Sequence, residues 1–223
     1  MSRTIAVIPA RGGSKRLPGK NILPLCGLPL LVHSILYAKA NENVIDQVYV
    51  STDDPEIAGV ARTNGALVVD RPGNISGDME PTVSAIKHVL QNLEHVENVV
   101  LLQPTNPLRP AQMFREGFSQ FMTGNFDSLF TVSRNHHKLG RITNNKFVPF
   151  NYVPGQRSQD LEPLYFENGL LYITKARLIL EDKIVGENHL PMIINHPFAN
   201  VDIDTLEDFE YASYLMKTNK ELL

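Results

Sequence analysis

The chain has 223 residues, 43% hydrophobic and 20% charged, which is enough to bury the core of one domain and rules out global disorder. Its net charge of −3 hides an asymmetry: the first 41 residues carry six bases and no acid, and the other 182 carry 15 bases against 24 acids. One basic opening on an acidic body argues against a nucleic-acid partner, which needs an extended basic face, and suits a small anionic ligand.

Short apolar runs alternate with helical patterns along the chain. Residues 4–8 read as a buried strand, and 29–40 as a helix with Pro29 in its first turn. Residues 47–51 form a second strand, 55–64 a helix ended by Gly65, and 66–69 a short strand. Asp78 is placed as the cap of a helix with Val83, Ile86, Leu90 and Leu93 on one face. A strand at 99–102, a helix at 110–122 and a strand at 128–132 follow.

The rhythm then breaks. Residues 134–165 are polar and proline-bearing, and read as an excursion from the sheet, a small hairpin or an oligomer arm. Regularity returns with a strand at 169–173, a helix at 175–180 and a strand at 192–194. The last helix starts at Thr205, where Thr205 and Asp208 match a capping box, with Leu206, Phe209, Ser213 and Met216 on one face.

Strands and helices alternating at this spacing predict one α/β domain over residues 1–223, a mostly parallel Rossmann-like sheet with helices on both faces. In such sheets, ligands gather at the carboxyl ends of the strands. The most apolar stretch, 22–37, is broken by Pro24, Gly27, Pro29 and His33, so no membrane span is expected. The opening lacks the charged, apolar and cleavage regions of a signal peptide, and a soluble cytoplasmic protein is expected. The single cysteine, Cys26, excludes an intramolecular disulfide and a Cys-rich zinc site, and is read as a small buried hydrophobe.

The strongest chemical signal follows the first strand. There Arg11, Gly12, Gly13, Ser14, Lys15, Arg16, Lys20 and Asn21 make a glycine-paired loop with four cations and no acid. Paired glycines let backbone N–H groups turn toward a ligand, and the cations favour a polyphosphate. The spacing fits neither a Walker A loop nor a G-x-G-x-x-G fingerprint. Farther on, Asp202 and Asp204 flank Ile203. In an extended segment this puts both carboxylates on one side with Ile203 inward. The pair suits Mg²⁺ beside phosphates, although acidic caps before a helix share the pattern. Asp54 is read as the cap of the helix at 55–64. Adjacent His136 and His137 would point to opposite faces of a strand and chelate one ion poorly, so they are read as interface or substrate-shaping residues.

These motifs, with Ser51-Thr52-Asp53-Asp54, Asp70-Arg71-Pro72, Gln103-Pro104-Thr105-Asn106-Pro107-Leu108-Arg109 and Asn168-Gly169-Leu170-Leu171-Tyr172-Ile173, resemble in order and spacing the N-acylneuraminate (CMP-sialic acid synthetase) family of sugar cytidylyltransferases. The resemblance runs over nearly the whole chain. It implies transfer of CMP from CTP to the anomeric hydroxyl of a nine-carbon 2-keto sugar acid, with pyrophosphate leaving and Mg²⁺ required. It also implies a homodimer with shared active sites, its dimerisation arm inserted at about 134–165. Arg11, Gly12, Gly13, Ser14, Lys20 and Asn21 would hold the triphosphate, and Arg71 would help bind cytosine. Arg11 and Lys20 would stabilise charge at the α-phosphorus, with Mg²⁺ on Asp202 and Asp204. Gln103, Asn168 and Tyr172 would line the sugar site, and Arg157 would enter it from the partner subunit. Arg109 would either pair with a carboxylate or support its loop.

The departures from the family lie on the sugar side. Phe166-Glu167 stands where sialic acid enzymes often carry Arg-Pro, Ile184 and Val185 where aromatic residues are common, and Gly140 near a family lysine, with Lys138 and Arg141 beside it. Cytidylyl transfer is thus better specified than the sugar, and legionaminic, pseudaminic and deaminated acids stay open beside N-acetylneuraminic acid. The rival readings are a 3-deoxy-manno-octulosonate cytidylyltransferase, a glycosyltransferase that consumes a CMP-sugar, and a CTP-sensing scaffold.

Overall fold

A computed structural model describes residues 3–219. Its strands are β1 (Arg3–Pro9), β2 (Pro24–Leu25), β3 (Leu28–Pro29), β4 (Gln47–Thr52), β5 (Leu67–Asp70), β6 (Val96–Leu101), β7 (Ser128–Asn135), β8 (Gly140–Thr143), β9 (Lys146–Pro149), β10 (Leu164–Lys175) and β11 (His189–Ile193). Its helices are α1 (Leu30–Lys39), α2 (Pro55–Thr63), α3 (Thr82–Gln91), α4 (Met113–Thr123), α5 (Ala176–Leu180) and α6 (Leu206–Thr218). Seven strands form one sheet in the order β11-β7-β10-β6-β1-β4-β5. All neighbours are parallel except at β10, which runs against both β6 and β7.

Alternation along β1 builds two cores. Ala6 and Ile8 face one layer with Leu31 and Ile35 of α1, Ala61 of α2 and Phe114 of α4. Ile5 and Val7 face the other, with Ile86 and Val89 of α3 and Ile179 of α5. A third cluster packs Ala212 and Leu215 of α6 against Leu25, Leu108, Phe198 and Ile203. This last cluster matters for chemistry, because burying Ile203 completely fixes the two aspartates on either side of it.

Several local expectations are corrected. The helix expected from residue 110 begins at Met113, after a turn in which the Met113 N–H donates to the Pro110 carbonyl at 3.1 Å. Asp78 does not cap α3, whose N-cap is Pro81; the carboxylate turns into the ligand cleft instead. Cys26 is exposed. With Gly27 it forms the tip of the β2–β3 hairpin at φ of 49° and 94°, which directs its side chain away from the core. Thr205 and Asp208 do form the capping box of α6, but Leu206 is exposed and Ala212 takes the buried position.

The excursion is a hairpin. β8 and β9 pair around Asn144 and Asn145, both at positive φ, as a tight two-residue turn requires. The sheet itself reaches farther into this region than expected, since β7 runs to Asn135 and pairs with Leu164 at the start of β10.

Candidate active site

The loop after β1 is shaped by what lies beneath it. A Cβ on Gly12 would lie 2.7 Å from Asp54 Oδ2, so only glycine fits there. The Gly12 N–H donates to Asp53 Oδ1 at 3.0 Å, which corrects the expectation that both glycine amides turn to a ligand. Gly13 meets nothing within 4 Å. Asp54 caps α2 as expected, accepting from the N–H groups of Glu56 and Ile57. Buried Asn21 donates to the Arg11 carbonyl at 2.9 Å and so holds the loop's return.

Arg11, Ser14, Lys20, Asn21, Arg71, Gln103 and Asp204 line one cleft of about 460 Å³ at the carboxyl ends of the strands. Gly12 and Gly13 line an adjoining groove with Asp53 and Asp78. Arg71 is buried at the end of β5, where it donates from Nε to Ser51 Oγ at 3.1 Å and from Nη2 to the Ser51 carbonyl at 2.7 Å. Burial lowers its pKa.

A carboxylate partners every cation of the loop. Arg16 Nη2 lies 2.6 Å and Lys20 Nζ 2.9 Å from Asp204. Arg11 Nη1 lies 2.7 Å from Asp78 Oδ1, and the Lys15 ammonium pairs with Oδ2 of the same residue. The hydrogen bond from Lys15, with the charge of Arg11, holds the Asp78 carboxyl below the ordinary carboxylate pKa.

A second cleft, of about 420 Å³, adjoins the first and shares Gln103 with it. Gln103, Asn168, Tyr172 and Asp202 line it, together with Asn106 and Glu167. The Asp202–Asp204 pair straddles the two: Asp204 lines the first and Asp202 the second. The Ile203 N–H donates to the Thr105 carbonyl at 2.8 Å, which pins this segment to the loop after β6. Burial, then the nearby charge of Asp204, raises the Asp202 pKa.

Asn168 and Gly169 form a bulge in β10, where the pairing with β7 shifts register. Gly169 sits at φ 74°, and a Cβ there would lie 2.7 Å from Asn106 Oδ1 and 3.1 Å from Gln103 Oε1. The Asn168 amide is committed within the protein. Its Oδ1 accepts from Thr131 Oγ1 at 2.6 Å and its Nδ2 donates to Ser133 Oγ at 3.0 Å. Tyr172 stacks on Phe130 and donates its hydroxyl to Glu167 Oε2 at 3.1 Å. Burial, then the Glu167 charge, raises its pKa.

Arg109 resolves to a supporting role. It is 2% exposed and donates to the Leu170 carbonyl at 2.7 Å, Ser34 Oγ at 2.9 Å and the Gln103 carbonyl at 2.8 Å. Burial pulls its pKa down to about 10, so it stays charged at neutral pH. Arg157 is not brought to either cleft; it lies on the arm, where Nε and Nη2 donate to Asp160 at 2.7 and 3.1 Å. His136 and His137 are exposed, and His137 hydrogen-bonds Asn135.

Sequence reasoning overlooked two residues of these clefts. Asp78 was hidden by its place before a helix, although Pro81 marks that helix's true start. Asn106 carries no chemical signature, yet its Nδ2 donates to the carbonyls of Asn168 at 3.1 Å and Val201 at 2.8 Å, joining three segments at the site.

Comparison with known proteins identifies the family. A pseudaminic acid cytidylyltransferase of Campylobacter jejuni is 31% identical over 98% of this chain and 98% of its own length. A CMP-N,N'-diacetyllegionaminic acid synthase of Legionella pneumophila is 35% identical over 99% of each chain. Among solved structures, a CMP:2-keto-3-deoxy-manno-octonic acid synthetase complexed with CTP superposes with a TM-score of 0.71 over 97% of this chain and 99% of its own, at 18% identity. That likeness is one of fold. The family profile described as cytidylyltransferase matches residues 5–222. With a cationic loop after β1, an aspartate pair astride two clefts and full-length relatives at this identity, the chain belongs to the cytidylyltransferase family.

Proposed function

We propose that the chain transfers CMP from CTP to the anomeric hydroxyl of a nonulosonic acid. The hydroxyl oxygen gives up its proton to solvent and forms a bond to the α-phosphorus, the bond from that phosphorus to the bridging oxygen of the β-phosphate breaks, and pyrophosphate leaves. The observation that carries this reading is the position of Asp202 and Asp204. Two positions apart, they stand on the walls of a cationic cleft and of a polar, uncharged-to-acidic cleft that share Gln103. A nucleotide in the first would present its α-phosphate to a hydroxyl held in the second.

In this reading Arg11, Ser14, Lys20 and Asn21 hold the triphosphate, with Gly12 and Gly13 giving the loop its path. Arg71 meets the cytosine. Lys20, fixed by its bonds to Asp204 and the Ile203 carbonyl, stabilises charge as it develops on the α-phosphoryl oxygens. Gln103 orients the sugar, and Asn168 and Tyr172 shape its cleft. Catalysis is then positioning plus electrostatics.

Cytidylyltransferases of this kind generally use a divalent metal. The donor set here fits Mg²⁺: two hard carboxylates, one of them raised in proton affinity by burial and then by its neighbour's charge, beside a phosphate site. Among the described residues no cluster of three or more ligating side chains competes for that role. Asp202 and Asp204 would hold the ion, and bound Mg²⁺ would neutralise phosphate charge.

The second cleft carries Glu167 and Asp202 and no cation, while the sugar acid brings a carboxylate. A basic group from outside this lining would pair with that carboxylate. The hairpin arm exposes Ile142, Phe147, Phe150 and Val153, an apolar surface suited to a second copy. This supports a homodimer in which Arg157 of the arm leaves Asp160 to reach the partner's sugar site. Among the described residues no helix is long and apolar enough to cross a membrane. A cytoplasmic location goes with this reading, since CTP is an intracellular substrate.

The test is label transfer. With CTP labelled at the α-phosphate and a nine-carbon keto acid, label should pass into a CMP-sugar. The Asp202→Ala, Asp204→Ala double variant should bind CTP weakly and lose that transfer. Near-normal transfer by the double variant in magnesium would refute the assignment of the pair.

A further inference from the structure

Asp78 reaches the phosphate-binding loop from the opposite wall of the cleft. It places one oxygen on Arg11 at 2.7 Å and the other on Lys15. A carboxylate bridging two cations in this way makes the contacts that two oxygens of a phosphate would make. Its segment is lightly anchored. Residues 77–81 are all exposed, Met79 at 94%, and Gly77 and Pro81 bracket the turn. The two ion pairs are themselves about one-third exposed at Asp78 and Arg11, so water can compete for both partners.

We propose that Asp78 is an internal competitor for the phosphate-binding cations and so a specificity-determining residue for the anion. It holds Arg11 and Lys15 across the cleft while no nucleotide is bound. An incoming ligand must displace it and re-pair both cations. A single-charged anion gains little by that exchange, whereas the polyphosphate tail of CTP brings several charges and prevails. When pyrophosphate has formed, the same carboxylate competes for the cations again and favours its departure. This rests on the reading of the cleft as the triphosphate site.

Calorimetric titration of inorganic pyrophosphate and of CTP into the wild-type chain, Asp78→Asn, Arg11→Ala and Asp182→Asn tests the proposal. Asp182 pairs with Lys87 away from the clefts, so its variant makes the same charge change elsewhere. Asp78→Asn should bind pyrophosphate about two- to fivefold more tightly at low salt, the scale of a partly exposed ion pair, with the gain fading as salt rises. In steady state its KM for CTP should fall and inhibition by pyrophosphate should strengthen, while Asp182→Asn shifts neither. Unchanged or weaker pyrophosphate binding by Asp78→Asn, with Arg11→Ala clearly weakened, would overturn the competitor role and make Asp78 an aligning partner. Unchanged binding by Arg11→Ala would overturn the triphosphate reading of the cleft and this proposal with it.

Discussion

Lys20 Nζ lies 2.9 Å from Asp204 Oδ1 and 2.9 Å from the Ile203 carbonyl, so one ammonium ties the loop after β1 to the aspartate pair on the far side of the cleft. The two segments are over 180 residues apart in the chain. The burial of Ile203 and its hydrogen bond to the Thr105 carbonyl hold the aspartate segment beside the loop after β1.

Replacing Lys20 by Met keeps most of the stem and removes the charge. Turnover should fall by about 10²–10³, the loss seen when one preorganised donor to a developing charge is removed. Rapid-quench measurement of the chemical step checks this. A fall in CTP affinity alone, with the chemical step intact, would limit Lys20 to binding.

Arg109 makes three hydrogen bonds inside the protein, to groups from α1, the loop after β6 and β10. Arg109→Met leaves buried acceptors unpaired and should lower the unfolding free energy by about 3 kcal/mol. Urea unfolding measures it. A residue that instead bound the substrate's carboxylate would raise KM and leave stability unchanged.

The α/β alternation, the main strands and helices and the capping box at Thr205 were legible because each rests on a local period or a local hydrogen bond. The direction of β10 was not, since period-two alternation is the same in parallel and antiparallel strands. The cationic loop stood out as four bases with no acid, whereas the Asp202–Asp204 pair shares its pattern with acidic helix caps and owed its metal reading to the family resemblance. What each residue touches was not legible. The resemblance puts Asn168 on the sugar site, but its amide is bonded to Thr131 and Ser133 across the β10 bulge. Asp78 reads as a cap but faces Arg11, 67 positions earlier, across a cleft that exists only in the folded chain. Cys26 follows an apolar run, yet the positive φ of a hairpin tip turns it outward.

His33 is buried in α1 and hydrogen-bonded through Nε2 to the Leu25 carbonyl, and desolvation lowers its pKa from the ordinary 6.5. The unfolded chain therefore binds a proton more readily, and stability present above about pH 6.5 is lost as pH falls below it. Thermal melts from about pH 7.5 down to about pH 5 should show a falling Tm. His33→Gln, which keeps a donor for Leu25 without a titrating ring, should flatten the slope. An equal slope in the variant would assign the acid sensitivity elsewhere.

The arm's exposed Phe147 and Phe150 carry the dimer reading. Sedimentation equilibrium at micromolar concentration should give a dimer for the wild-type chain and a monomer for Phe147→Asp, Phe150→Asp. A wild-type monomer would leave the second cleft without its missing cation and contradict the shared site.

The most direct test of the central claim is pyrophosphate release in magnesium, measured with CTP, ATP, GTP and UTP against pseudaminic, legionaminic and N-acetylneuraminic acids and an eight-carbon keto acid. The account predicts release that requires CTP together with a nine-carbon acid, at a stoichiometry of one pyrophosphate per CMP-sugar. Release with the eight-carbon acid alone, or CTP binding without release for any acid, would contradict it.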